Sequence, residues 1–244
     1  MAGTESMQSI ATQTDAVQPL AGWGAFRELM SLRFSLQVRG GAERESVESY
    51  IRARFAARHA ARIVHFLPNL ISLGNGERYC GAVGLAAASS GPLFAETYLD
   101  APIEQLIAQA TGEAVSRNDI LEIGNLVSTW KGSSLLLFVF LTEVIGRLGH
   151  RWVLFTATRE VESLLARLKY CPVVLADADP ARLPDGGASW GGYYRQLPRV
   201  MFGDVPPALA AARKGVLYRA AARAISGQVD RFCAEFRLRN PAGR

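Results

Sequence analysis

The run from Ile120 to Thr156 constrains the fold more than any other part of the chain. Ile120–Val127 reads as a buried strand, Ser128-Thr129-Trp130-Lys131-Gly132-Ser133-Ser134 as a loop of mostly small residues, Ser133–Leu148 as a largely apolar helix and Trp152–Thr156 as a short apolar strand. A helix this apolar needs a sheet to lie on. The flanking segments supply one. Met30–Val38 alternates Leu32, Phe34, Leu36 and Val38 against Ser31, Arg33, Ser35 and Gln37, the period of a strand with one wet face. Glu43–Phe66 follows as an amphipathic helix with Val47, Ile51, Phe55 and His59 at four-residue steps, then Ile63 and Phe66, closed by Pro68. Leu70–Leu73 and Tyr79–Ala88 form a hairpin around Gly74-Asn75-Gly76, because Asn-Gly supplies the positive φ values of a tight turn. Leu93–Leu99 and Pro102–Ala110 are helical pieces with Asp100 as a possible N-cap. A helix with Val161, Leu164, Leu165 and Leu168 on one stripe and a strand at Val173–Ala176 complete the order. A mixed sheet with helices on its faces follows.

With 49% hydrophobic and 20% charged residues in 244, the chain has enough apolar material for one core, which excludes a disordered or fibrous protein. Three scattered cysteines cannot form a disulfide framework, so a reducing, cytoplasmic setting is expected. Residues 1–24, rich in Ser, Thr, Gln and Ala, lack the basic and apolar regions of a secretion signal and read as a flexible arm. The longest apolar run, Leu135–Leu141, is far short of the roughly 20 residues that cross a bilayer. The net charge of +5 points to an acidic partner. It is concentrated in the tail from Val205 to Arg244, which carries eight basic residues against two acidic ones. There Leu217, Ala221, Ile225, Val229, Phe232 and Phe236 form one apolar stripe, a basic amphipathic helix that docks on its own domain or on a twin subunit, or else meets an anionic membrane or an acidic carrier protein. The basic residues are not interleaved with aromatics as in a nucleic-acid module.

Three places have the residue types for chemistry. The loop Val127 to Ser134 opens a helix, so Val127, Ser128, Thr129, Lys131, Gly132, Ser133 and Ser134 suit a pyrophosphate or phosphopantetheine phosphate; an ordinary turn capped by Ser133 or Ser134 is the alternative. Glu122 interrupts an apolar strand, where a carboxylate needs either a partner or a task such as taking the proton of an attacking amine. Glu96 and Asp100 stand one helical turn apart, suited to acid–base work, acceptor binding or simple capping. In Trp190-Gly191-Gly192-Tyr193-Tyr194 the two glycines allow close backbone approach, and Tyr193 or Tyr194 can protonate a leaving thiolate unless the rings only pack the core. Asn125, an odd number of residues from Glu122, faces away from it unless a bulge intervenes. His59, His65 and His150 with Cys80, Cys171 and Cys233 show no metal-ligand spacing, and neither a nucleophile elbow nor a P-loop is present.

The sequence resembles the thermostable hemolysin family. The resemblance lies in Tyr50-Ile51 with Phe55, Phe66-Leu67-Pro68-Asn69-Leu70, Leu93 to Asp100 with Pro102-Ile103-Glu104, Glu122-Ile123-Gly124-Asn125-Leu126, Phe155-Thr156-Ala157-Thr158 and Trp190 to Tyr194. That family is similar to GNAT-type acyltransferases, on the side of the acyl-homoserine-lactone autoinducer synthases. The resemblance implies a mixed, mostly antiparallel twisted sheet with helices on both faces across residues 25–204, followed by the basic helix at 205–244. It further implies that the strand carrying Glu122 splays from Trp152–Thr156, with the pantetheine of an acyl-CoA or acyl-carrier-protein co-substrate in the opening and its phosphates at Thr129–Ser134. The acceptor is then a small amine or amino acid, served by Glu122 with Glu96, Asp100, Asn125, Thr156 and Trp190 around it, and no tightly bound cofactor or metal is expected. Two departures stand out. Only Gly132 and Ser134 remain of the Arg/Gln-x-x-Gly-x-Gly/Ala pattern of coenzyme A binders, and Gly81–Ala88 lacks the arginine found near its end in relatives.

Overall fold

The computed structural model describes residues 31–129, 133–167 and 170–240. The expected arm at 1–24, Lys131, Gly132 and Leu168 lie outside them. The strands are β1 Arg33–Val38, β2 Asn69–Gly74, β3 Tyr79–Ala87, β4 Ile120–Ser128, β5 Trp152–Ala157, β6 Val173–Asp177 and β7 Arg199–Asp204. The helices among the described residues are α1 Arg44–His59, α2 Ile103–Thr111, α3 Ser133–Leu148, α4 Arg159–Arg167, α5 Val205–Ala212 and α6 Val216–Arg239. The strands form one sheet in the order β1-β2-β3-β4-β5-β7-β6. Only β4 and β5, joined through α3, run parallel; every other neighbouring pair is antiparallel.

Alternation in the strands sets two cores. Leu36, Ile71, Leu73, Val83, Leu85 and Leu121 face α3 and α6, while Leu70 and Ala82 face Val47, Ile51 and Phe55 of α1. Ile120, Trp152 and Leu154 share that second face and pack against Leu93, Ala95, Tyr98, Ile103 and Ile107. Strand β7 was not anticipated from the sequence; it inserts between β5 and β6 and pairs with both.

Two expectations about helices are corrected. The helix expected to continue to Phe66 ends at His59, where Ala60 turns left-handed at φ 51° and its N–H caps the Ala56 carbonyl. Residues 61–68 then run as an extended strap that buries Ile63, Phe66 and Leu67 without helical geometry. At the other end of the chain, the tail is two helices, and the stripe of α6 uses Tyr218 where Leu217 was expected; Leu217 is 52% exposed. Ile225, Val229, Phe232 and Phe236 are buried against α3 and β1. Glu143 on α3 completes this attachment by accepting from both Arg213 (2.8 and 3.2 Å) and the Tyr218 hydroxyl (3.0 Å). The apolar face offered for a membrane or a twin subunit is thus filled by the chain's own sheet. No helix among the described residues is long and apolar enough to cross a membrane.

Phe232 stacks edge-on against Phe140 at 5.2 Å and is buried. Phe232→Ala is expected to cost about 3–5 kcal/mol of global stability by urea denaturation, as for a core ring. A loss under about 1 kcal/mol would show that α6 is an appendage.

Candidate active site

The sheet opens at β4. Its pairing with β5 runs from Ile120↔Trp152 to Ile123↔Phe155 and stops there. Beyond that point β4 keeps β3 as a neighbour, Val127 facing Ala82 and Ser128 facing Gly81, while β5 keeps β7. The two strands part with Ile123 to Ser128 on one wall and Phe155 and Thr156 on the other, all half-buried.

A bulge accompanies the parting. Two steps on β3, Ala82 to Gly84, oppose three on β4, Val127 to Gly124, and Asn125 sits left-handed at φ 50°. The bulge turns Asn125 to the face of Glu122. Its Oδ1 accepts the Leu67 N–H at 2.9 Å and its Nδ2 donates to the His65 carbonyl at 3.1 Å, so one side chain clamps the strap across the sheet. Gly84 makes room: a Cβ there would lie 2.9 Å from both Asn125 Oδ1 and Leu67 Cβ. Arg44 pins the far end of the strap by donating to the Leu67 and Pro68 carbonyls at 2.9 and 2.6 Å.

Glu122 is 3% exposed, and its oxygens accept the N–H groups of Phe94 and Ala95, each at 2.9 Å. It caps the 3-10 turn Phe94–Tyr98, so the carboxylate in the apolar strand has its partner in main chain. Burial raises its pKa to about 7 against the two amide bonds, which pull the other way.

Glu96 and Asp100 do not share a helix face, because the 3-10 turn ends at Tyr98. Glu96 points inward and accepts from the N–H groups of Leu93 (2.8 Å) and Ile103 (3.0 Å) and from both terminal nitrogens of Arg117 (2.7 and 2.9 Å). Despite burial, these bonds hold its pKa down to about 2. Arg117 also binds Glu104 at 2.7 Å and the carbonyls of Ala88 and Gly91, closing a network that sequence spacing did not reveal. Asp100 points outward to an ion pair with Arg182, and α2 is begun by Pro102, with Glu96 serving the cap expected of Asp100.

In the Trp190 to Tyr194 segment the glycines make the close backbone approach expected of them and the rings pack together. A Cβ at Gly191 would run into the carbonyls of His59 and Ala60, and the Gly192 N–H donates to the His59 carbonyl at 2.6 Å, so the glycines lock the end of α1. The rings build a cluster: Trp190 contacts Phe55, Phe94, Tyr193 and Tyr194, and the Tyr194 and Tyr98 hydroxyls lie 2.6 Å apart. Burial raises the pKa of Tyr193 and Tyr194, which keeps both phenols protonated near neutrality.

At the other end of β4, Ser128 Oγ accepts from Ser134 Oγ of α3 at 3.0 Å, and Thr129 meets the Tyr50 hydroxyl at 3.2 Å and the Cys80 carbonyl at 3.3 Å. These residues are the described part of the expected phosphate loop. Residues 38–209 match the family model described as Thermostable hemolysin. The chain belongs to the thermostable hemolysin family. Among solved structures this hemolysin-family chain is similar to the AHL synthase LasI (13% identity over 76% of this chain and 96% of that one, TM-score 0.51). It is also similar to FeeM, an N-acyl amino acid synthase from uncultured soil microbes (12%, 73% and 94%, TM-score 0.51). A third likeness is to BjaI, a CoA-dependent acyl-homoserine lactone synthase with MTA (13%, 75% and 87%, TM-score 0.50). No curated protein matches the sequence. At these identities the likeness is one of fold, and the fold is GNAT-like, as the resemblance implied.

Glu122 and Glu96 titrate in opposite senses. Glu122, raised from 4.5 to about 7, contributes stability below pH 4.5 that is lost as pH climbs through 7. Glu96, lowered from 4.5 to about 2, contributes stability above pH 4.5 that is lost as pH falls through 2. Glu122→Gln therefore destabilises most near pH 4.5, and its deficit against wild type shrinks by on the order of 3 kcal/mol by pH 8. Urea denaturation at both pH values reads this, and a pH-independent deficit would contradict the assignment. Arg117→Met is expected to cost roughly 2–3 kcal/mol, the loss of charged hydrogen bonds to a half-buried acid, in the same measurement.

Proposed function

We propose that the protein is an N-acyltransferase that moves an acyl group from a coenzyme A or acyl-carrier thioester to the amine of a small molecule or amino acid. The observation that carries this reading is the parting of β4 from β5 inside a continuous sheet. From Gly124 onward the β5 side of β4 has main-chain groups without a strand beside them. Interior main-chain N–H and C=O groups need partners, and the two amides of a pantetheine arm match them as an added strand would. The half-buried walls, with Ile123, Leu126 and Phe155 among them, suit the arm and the first carbons of an acyl chain. The arm then points its phosphate toward the start of α3, where helix N–H groups and the Ser128–Ser134 pair favour an anion. The positive net charge suits either donor, including an acidic carrier protein.

Chemistry at the opening is the attack of a neutral amine on the thioester carbonyl. The C–N bond forms, the C–S bond breaks, the amine loses one proton and the departing thiolate gains one. In this reading a main-chain N–H of the bulged strand receives the carbonyl oxygen, and Tyr194, whose hydroxyl lies 2.6 Å from that of Tyr98, supplies the thiolate's proton. Glu122, with both oxygens on the amides of Phe94 and Ala95, is a positioning residue that holds the aromatic wall over the opening.

Native mass spectrometry of the full chain with a panel of acyl-coenzyme A species and an acyl-loaded carrier protein tests the donor site. Thiol release with a mixture of amino acids and primary amines tests transfer. One-to-one donor binding with amine-dependent thiol release is expected; no binding across the panel would overturn the reading.

A further inference from the structure

The acyl-transfer reading leaves the proton of the amine without an acceptor, because Glu122 is sealed under Phe94 and Ala95. We propose that His65 is the catalytic base that receives this proton, and that the acceptor amine reaches it through the cavity beside α1. This rests on the acyl-transfer reading. Three independent features of the geometry support it.

The first is position. His65 sits on the strap directly above the β4 bulge, where Asn125 holds its carbonyl. Asn125 is two residues past Ile123, the last point at which β4 and β5 are paired, so the His65 main chain is tied to β4 just past the start of the opening, and its ring rests on Phe94, whose N–H is held by Glu122 of the same strand.

The second is preorganisation. The strap is pinned on both sides of His65. The Arg62 N–H donates to the Ser189 carbonyl at 2.6 Å, and Asn125 and Arg44 hold Leu67. The imidazole lies against Phe94 with ring centres 4.5 Å apart and planes 24° apart. Among the described residues neither ring nitrogen has a hydrogen-bond partner. His59 and His150 differ: His59 is wedged between Phe55 and Tyr193, and His150 Nδ1 is 3.1 Å from the Asn118 carbonyl.

The third is access. His65 is exposed and lines a wide-open surface cavity of roughly 540 Å³ together with Arg39, Glu45, Glu48 and Phe66. Glu45 and Glu48 are paired with Arg52, and Glu48 also with Arg44, whereas Arg39 has no acid partner among the described residues. Desolvation and the Arg39 charge lower the His65 pKa, so the imidazole is neutral at physiological pH and ready to accept a proton. The charged groups facing it are thus Arg39 from the β1–α1 turn and Arg44, Glu45 and Glu48 from α1, with Glu122 behind Phe94 on β4.

In the step itself the amine nitrogen bonds to the thioester carbon, its proton passes to a ring nitrogen of His65, and the sulfur leaves as thiolate. The thiolate takes its proton from Tyr194, the imidazolium gives its proton to solvent, and solvent returns one to the Tyr194 phenolate, which restores the starting state.

The test uses the full chain, octanoyl-coenzyme A and decanoyl-coenzyme A as donors, and an equimolar mixture of amino acids and primary amines as acceptors. His65→Phe keeps the stacking on Phe94 and His65→Gln keeps a polar side chain; donor binding and thermal midpoint are measured for both. Expected are donor binding within about twofold of wild type and thiol release reduced roughly 100-fold or more, the usual share of a general base. Also expected are an acid limb in the wild-type pH profile that is lost in both variants, and partial rescue of His65→Gln by added imidazole. Release within threefold of wild type in either folded variant, or an acid limb that survives in both, would overturn the role of His65 while leaving acyl transfer intact. Absence of thiol release from wild type would overturn both.

Discussion

The site depends on a strand that loses its neighbour halfway. β4 is paired on both sides as far as Ile123 and on one side thereafter, and the change is made at a single residue, Asn125, in a left-handed conformation. Asn accepts that conformation more readily than most residues, and its amide repays the local distortion with two main-chain hydrogen bonds. The same residue therefore bends the strand, frees its edge and fixes the strap that covers it. Gly84 and Gly124 complete the arrangement by giving Leu67 a flat bed.

Around this opening the charges serve mainly to fix backbone. Glu96 and Arg117 tie together the start of the 3-10 turn, the start of α2 and the end of the β3 loop, and Glu122 supports the turn from beneath. Carboxylates that look reactive in a list of residues are here substitutes for missing main-chain partners in short turns. Where β4 leaves β5, the uncommitted polar groups are the peptide amides of β4 itself, which carry no permanent charge into an apolar cleft.

Much of this was legible in the residues. Strands β2 to β5 and the apolar helix α3 fall within a residue of where the sequence put them, because each buries one face or is buried on both, and β1 begins three residues later than its alternating run. The end of α1 was not legible. Ile63 and Phe66 continue the helical stripe of Val47, Ile51 and Phe55, and an extended strap buries them equally well. What stops the helix is the glycine pair at 191–192, which no local rule connects to His59. β7 escaped notice for a related reason: Val200, Met201 and Phe202 are a short apolar run after Pro198, and only its two partners make it a strand. In the site, the need of Glu122 for a partner could be read from its apolar flanks, but the identity of that partner could not. Arg117 is drawn to Glu96 and Glu104 by folding, and nothing in its own neighbourhood marks it. The outward turn of Asp100 follows from a 3-10 turn being shorter than the helix that spacing suggested.

The lock between the end of α1 and the Ser189 to Gly192 segment has a consequence for how the molecule is made. The first end of the strap is tied down only when the Arg62 amide and the Ser189 carbonyl, more than a hundred residues apart, meet. Contacts of such sequence separation form late, because the loop between them must be closed before they yield any stabilisation. During synthesis the first hairpin and α1 are free to associate early, whereas the junction of α1 with the strap must wait for the aromatic segment to leave the ribosome. The face of the candidate site is thereby completed at the end of folding, and a chain interrupted before that segment would have most of its sheet and an open end to the strap.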